Sequence, residues 1–395
     1  MSLKQIAWPR GMDRMTDLHE VLERYVNDGS VPGAVALLAH RDEIEVAAIG
    51  SAAVGGDPMA RDSIFRLASI TKPITAAAVM ILVDDDQISL EDTVDLWLPE
   101  LAEPKVVRTP ASPIDDLVPA TRPITVFDLL TSRAGYGFPS DFSLPAVQQL
   151  FEVQKDGREP HSFLPQDAWM GALSEIPMLY QPGEAWLYDT CSVLQGVLVN
   201  RVSGQSLPEF LADRIFQPLG MVDTGFTVPA AKLKRLTSYY RTTATGSLEL
   251  ADGPGGQWRT PPPFPLGNGG LAGTVDDWLA FARMLLTGGT TAGGRRLLSA
   301  DSVQLMITDH ITPAQRKIGE LFLEGQGWGF GGSVDIAFIG PWNVDGRYGW
   351  VGGTGTSAHI TPATEMIAIL LTQVAADSPT PPEWMRTFWQ YAAAR

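Results

Sequence analysis

One serine in the chain stands three residues before a lysine, in Ser69-Ile70-Thr71-Lys72. A serine hydroxyl is a poor nucleophile at neutral pH and needs a group beside it to take its proton. Residues three apart share a helix face, so Ser69 and Lys72 would present Oγ and Nζ to one cleft. Burial lowers a lysine pKa towards the range of a general base. The segment Gln181 to Thr190 places Tyr188 behind a Pro182-Gly183 turn. A phenol near an ammonium can relay protons. Gly349-Trp350-Val351-Gly352-Gly353-Thr354-Gly355-Thr356 reads as a glycine-rich strand edge that a substrate can approach closely. A strand N–H there, with that of Ser69, would make an oxyanion site. Each segment alone has a plain structural explanation. About 0.4 S-x-x-K matches arise by chance in a chain of this composition, so the context must decide.

Several elements would position these groups. Met12 to Asp28 reads as an amphipathic helix, with Met15, Leu18, Val21, Leu22 and Tyr25 on one face. Ala34 to Ala39 and Ile44 to Ile49 read as a hairpin turning at His40-Arg41-Asp42. Ser63 to Leu67 is an extended lead-in to the apolar, buried helix Ile74 to Val83. Pro73 fits only near the first turn of that helix, which puts Ser69 at its N-terminus and Lys72 one turn in. Asp84-Asp85-Asp86 reads as a solvated helix end. Residues 102 to 123 read as a long loop, and residues 252 to 270 as a Gly- and Pro-rich loop near the cleft. Thr125 to Thr131, Gln205 to Arg214 and Val275 to Leu286 read as helices. Asp335 to Ile339, Tyr348 to Trp350, Thr356 to Thr361 and Met366 to Thr372 read as strands, and 383 to 394 as a closing helix. Strands at both ends with helices between predict one sheet built from both ends of the chain.

The chain has 395 residues, a net charge of −16 and a single cysteine, Cys191. An intrachain disulfide is therefore excluded, and an acidic surface argues against nucleic-acid binding. The first twenty residues contain no apolar signal core. The run Ile74 to Val83 is far short of the ~20 residues of a membrane span. The expectation is a soluble, cytoplasmic protein with no membrane partner. No G-x-S-x-G elbow occurs. None of the five histidines forms an H-E-x-x-H pair, so neither a metal nor a cofactor is expected. His359 reads as a satisfied strand histidine, and the tryptophans and methionines as core and cleft lining.

Taken in order, these segments resemble the serine β-lactamase and penicillin-recognising superfamily, nearest to class C β-lactamases and family VIII carboxylesterases. The resemblance covers most of the chain. It includes Ile64-Phe65-Arg66-Leu67-Ala68 before Ser69, the tract Ile88 to Val94, Leu129 to Gly135, and Gly269-Gly270-Leu271-Ala272-Gly273-Thr274. It implies an α/β fold of the α+β type, an antiparallel sheet flanked by helices plus a mainly helical subdomain. Residues 1–73 and 300–395 would form the first part and 74–299 the second, with the active site between them. It also implies Ser69 as the acyl-accepting nucleophile, and Lys72 as neutral base or as electrostatic partner of Tyr188. Tyr188 would relay the proton, the backbone N–H groups of Ser69 and Gly353 would form the oxyanion hole, and Trp350, Thr190 and Gly352 would bind substrate. Two positions depart from the family pattern. Thr190 stands where an asparagine is frequent, and Trp350 where β-lactamases carry a lysine or histidine. Trp350 cannot pair with a substrate carboxylate and would offer an apolar platform, as in the carboxylesterase branch. The expectation is hydrolysis of a small-molecule carboxylic ester. The alternatives are β-lactamase or D-amino peptidase activity, acyl transfer, and a non-catalytic binding scaffold.

Overall fold

The computed structural model describes residues 17–395. Its main sheet has seven antiparallel strands, in the order Glu43–Gly50, Gly33–His40, Met366–Thr372, Thr356–Thr361, Tyr348–Gly352, Ser333–Val334 and Gly327–Trp328. Sequence-distant strands pair at its centre, with Ala34 opposite Thr372 and His40 opposite Met366. The period of two along each strand separates two cores. Ala34, Ala36, Leu38, Ala368 and Leu370 pack under the helices Leu18–Asn27 and Glu383–Ala393. Val35, Leu37, Ala39, Ile369 and Leu371 point into the larger core on the other face. That core contains the helices Lys72–Asp84, Thr190–Ser203 and Val275–Leu286. The expected sheet from both ends of the chain is thus present. The first helix starts at Leu18, capped by Asp17; the expected start at Met12 lies outside the described residues.

The helix Lys72–Asp84 is buried from Lys72 through Leu82. Its sequence is apolar all round, as a helix running through a core must be. Ser69 is not its first residue, as the sequence suggested. A 3₁₀ turn, Ala68–Thr71, comes first. Pro73 has no N–H to donate to the Ser69 carbonyl four residues back. The Lys72 N–H bonds that carbonyl instead, which tightens the turn.

The helix end at Asp84-Asp85-Asp86 is exposed as expected; there the Asp84 carboxylate accepts from Ser299 N at 2.6 Å and Ser302 Oγ at 2.6 Å, and Asp85 pairs with Arg214 at 2.8 Å. Other expectations are revised. The 102–123 segment contains a small hairpin, with Val106 opposite Val118. Asp335–Ile339 is not a strand. The Asp335 carboxylate is buried against Arg347 and the Val344 N–H, so the chain turns there and the strand lies earlier, at Ser333–Val334. Among the described residues no helix is long and apolar enough to cross a membrane.

The short strand Phe65–Arg66 that leads to Ser69 pairs with Ala272–Gly273. Arg66 is sealed inside, donating to both Asp252 and the Thr237 carbonyl, with its guanidinium 5.1 Å from the Trp258 ring. Losing one partner of a buried pair strands the other charge. Asp252→Asn is expected to lower stability in urea denaturation by about 3–5 kcal/mol. Asp276→Asn, which breaks the half-exposed Arg61 pair, should cost less than about 1 kcal/mol.

Candidate active site

Ser69 is held by the carbonyls around it. Thr354 Oγ1 donates to Arg66 O at 2.6 Å, Thr356 Oγ1 to Leu67 O at 2.7 Å, and Trp278 Nε1 to Ile70 O at 3.2 Å. The first two contacts fasten the Ser69 turn to the end of the Tyr348–Gly352 strand. That approach leaves no space at Gly352, where a Cβ would sit 2.5 Å from Leu67 O and 2.1 Å from Thr356 Oγ1. Tyr188 is anchored separately by a two-bond bridge with Phe138, with N···O distances of 2.9 and 3.0 Å.

These anchors bring the three predicted side chains together. Lys72 Nζ lies 2.8 Å from Ser69 Oγ, and Tyr188 Oη lies 2.9 Å from the same oxygen. Lys72 Nζ and Tyr188 Oη are 3.4 Å apart. The ammonium also donates to Asn268 O at 2.8 Å and to Asp189 Oδ1 at 2.6 Å. Ser69, Asn268 and Asp189 supply three close acceptors, matching the three protons of a lysine ammonium.

Of the two roles the sequence left open for Lys72, neutral base and electrostatic partner of Tyr188, its surroundings favour the second. Burial alone lowers its pKa. The Asp189 carboxylate and the Tyr188 hydroxyl outweigh that burial and raise it above the ordinary lysine value. Lys72 is therefore an ammonium at neutral pH and not a neutral base.

Asp189 was missed as a functional residue. It occupies a γ-turn at φ +81° and ψ −57°, with Thr190 N bonded to Tyr188 O at 3.2 Å. Such a backbone is strained for a non-glycine residue. Here it turns the carboxylate under the active serine. Asn268 Nδ2 at 2.7 Å and Gln154 Nε2 at 2.5 Å hold the second carboxylate oxygen. A polar residue directly after Tyr188 was the only sequence signal for this role. Thr190, expected at the substrate, is fully buried and donates to Gln154 Oε1 at 2.6 Å. It starts the helix Thr190–Ser203 and faces inward, so it supports Asp189 through Gln154 and does not line the cleft.

The cleft over Ser69 has a volume of about 460 Å³. Trp350, Gly352 and Gly353 line it as expected, and Asn268 and Gln154 join them. Trp350 is not an open platform. Its ring is buried, packs edge-on against Trp328, and donates Nε1–H to Tyr188 Oη at 3.0 Å. The apolar wall comes from Phe322, stacked on Tyr188 at 4.5 Å, and from Phe138, Phe142 and Phe151. The other cationic side chains of the cleft are both paired, Lys155 with Glu152 and Arg158 with Asp156. Among the described residues no group of His, Cys, Asp and Glu is arranged to hold a metal ion.

A family profile described as Beta-lactamase matches residues 18–387. The chain belongs to the β-lactamase family. It is an enzyme of the β-lactamase-like serine hydrolase type. The family members most similar in sequence include Protein Rv1367c of Mycobacterium tuberculosis, 36% identical over 360 residues, covering 88% of this chain and 87% of that one. Esterase EstB of Burkholderia gladioli is 29% identical over 386 residues, covering 92% of each chain. Among solved structures, EstCE1, titled a hydrolase with promiscuous acyltransferase activity, superposes with a TM-score of 0.77 at 24% identity. The alignment covers 94% of this chain and 96% of EstCE1. That likeness shows the β-lactamase fold.

Asp189→Asn leaves burial of Lys72 largely unopposed, so the ammonium is lost at a lower pH than in the wild type. The alkaline limb of the kcat/KM profile is expected to move to lower pH, and stability to fall by about 3 kcal/mol. An unmoved limb would show that the Lys72 charge does not depend on Asp189.

Proposed function

We propose that the enzyme hydrolyses small-molecule carboxylic esters through an acyl-enzyme on Ser69. The observation that supports this most directly is the shared hydrogen-bonding of Ser69 Oγ, Lys72 Nζ and Tyr188 Oη. Trp350 Nε1–H can only donate, so Tyr188 Oη accepts from it. With Lys72 held as an ammonium, Tyr188 is the group left to take the Ser69 proton. Only the phenolate form of Tyr188 can take that proton; its negative charge would face the ammonium and the indole N–H and is neutralised as the proton arrives.

In this reading Ser69 Oγ forms a bond to the substrate carbonyl carbon while its proton passes to Tyr188. The carbonyl oxygen becomes an oxyanion, for which the backbone N–H groups of Ser69 and Gly353 are the proposed donors. Collapse breaks the bond to the alkoxide, which takes the proton back from Tyr188 and leaves as the alcohol. Water then repeats the sequence on the acyl-enzyme: its proton goes to Tyr188, its oxygen bonds the acyl carbon, and Ser69 leaves reprotonated as the acid departs.

Esters are favoured over β-lactams by the residues that surround Ser69. A β-lactam carboxylate would meet Trp350 where a cation is needed, and Lys155 and Arg158 already carry carboxylate partners. The phenylalanine wall suits an uncharged acyl or alcohol group. Curated relatives named as esterases, EstB among them, point the same way. Acyl transfer to an alcohol is a second reading, favoured by relatives named as acyltransferases; transfer products with added alcohols would establish it.

Ser69→Ala is expected to reduce p-nitrophenyl butyrate turnover on the order of 10⁴-fold or more and to abolish the adduct seen by intact mass after fluorophosphonate treatment. Undiminished turnover would remove Ser69 from the mechanism, and faster turnover of nitrocefin than of the ester would replace the ester reading with a β-lactamase. Trp350→Phe keeps the ring but deletes the N–H to Tyr188. It should lower kcat by roughly tenfold, the scale of a hydrogen bond to a developing charge, with KM little changed.

A further inference from the structure

A second cavity, of about 270 Å³, lies beside the active-site cleft, and Trp350, Val351 and Phe322 contribute to both. The two meet where the Tyr348–Gly352 strand loses its outer neighbour: Ser333–Val334 pairs only with Gly349 and Tyr348. The mouth of the second cavity is marked by the half-exposed Ile339 and by the Glu324–Arg386 ion pair at 2.6 Å.

The inner wall contains polar atoms, on largely buried side chains, that open into the cavity and find no partner among the described residues. Arg347 directs Nε to Asp335 at 3.0 Å and Nη2 to the same carboxylate at 3.5 Å, and its Nη1 has no partner among the described residues. Asn343 Oδ1 accepts from Ile339 N at 3.2 Å and Gly340 N at 2.9 Å, which fixes the amide orientation and leaves Nδ2 without a partner. Trp389 Nε1 donates to Ser357 Oγ at 2.7 Å, and the same oxygen lies 3.2 Å from His359 Nδ1. His359 Nε2 is unpartnered among the described residues and is a donor in the tautomer that carries the proton there. His359 was expected to be a satisfied strand histidine; it is satisfied on one nitrogen only. All three side chains are buried and line this cavity.

We propose that this cavity binds a small carboxylate with an aromatic body. Donors from two segments, Asn343 and the Arg347 guanidinium on one and the Nε2–H tautomer of His359 on the other, suit an acceptor-only group with about four lone-pair sites. The remaining wall, Ile339, Trp342 and Trp389, is apolar and largely aromatic. The volume equals that of roughly nine waters, enough for a single-ring acid. The charges present are balanced, since Arg347 faces Asp335 and Arg386 faces Glu324. Selectivity therefore comes from the unpartnered N–H groups.

Isothermal titration calorimetry with benzoate tests this without reference to turnover, with benzamide as the uncharged control. Asn343→Asp keeps both backbone contacts of Oδ1 and replaces the unpartnered donor by a charge. Wild type is expected to bind benzoate saturably and more tightly than benzamide, and Asn343→Asp to bind it at least about tenfold more weakly, the scale of one hydrogen bond to a charged group. Arg386→Gln, at the mouth, should weaken benzoate severalfold and supplies the comparison if Asn343→Asp fails to fold. The absence of saturable binding, equal affinity for benzamide, or wild-type affinity in the folded variants would each overturn the proposal and leave a water-filled void.

Discussion

Lys72 is sealed in the core with its ammonium against Asp189, and much of the active site follows from the need to keep that charge matched. A lysine that has lost its water stays protonated only if negative charge and acceptors replace the solvent. Asp189 supplies the charge. Asn268 and Gln154 in turn fix the carboxylate, and Thr190 fixes Gln154. Four residues from distant parts of the chain are thus committed to one proton. The strained γ-turn at Asp189 belongs to the same arrangement, because only that backbone turns a carboxylate under Lys72 while leaving the neighbouring Tyr188 over Ser69.

In the proposed mechanism, with Lys72 fixed as a cation, proton transfer falls to Tyr188, and Trp350 becomes part of the machinery. The group that faces the tyrosine from this strand is an indole N–H. The indole cannot recruit an anion, and its ring closes that corner of the cleft with Trp328, Tyr188 and Phe322. One side chain therefore bears on both the electrostatics of the relay and the polarity of the substrate site.

The rigidity of the Ser69 turn has a similar economy. Thr354 and Thr356 bond its carbonyls from the turn that contains Gly353 and from the start of the strand Thr356–Thr361, directly after the strand that carries Trp350. The nucleophile and the proposed oxyanion donors are thereby referenced to one another by short hydrogen bonds, and not through the long chain that joins them. Preorganisation of this kind lets fixed dipoles act on a developing charge without reorganising during the reaction.

The fold class, Ser69, Lys72, Tyr188 and the Trp350 to Gly353 strand were legible in the sequence because each rests on local chemistry: motif spacing, strand alternation, a Pro-Gly turn. The apolar, buried course of the Lys72–Asp84 helix was legible for the same reason. The charge on Lys72 was not, because a pKa depends on what other segments bring within a few ångströms. Burial could be read from neighbouring residues and left both roles of Lys72 open; the convergence of Asp189, Asn268 and Gln154 decides the direction. Trp350 and Thr190 were likewise placed in the right region with the wrong contacts, since hydrogen-bond partners at separations of 162 and 36 residues leave no local trace. The sequence by itself determined which groups could react. Tertiary structure decided which of them holds the proton and which takes it, because electrostatic balance is set by distance in space and not by spacing along the chain.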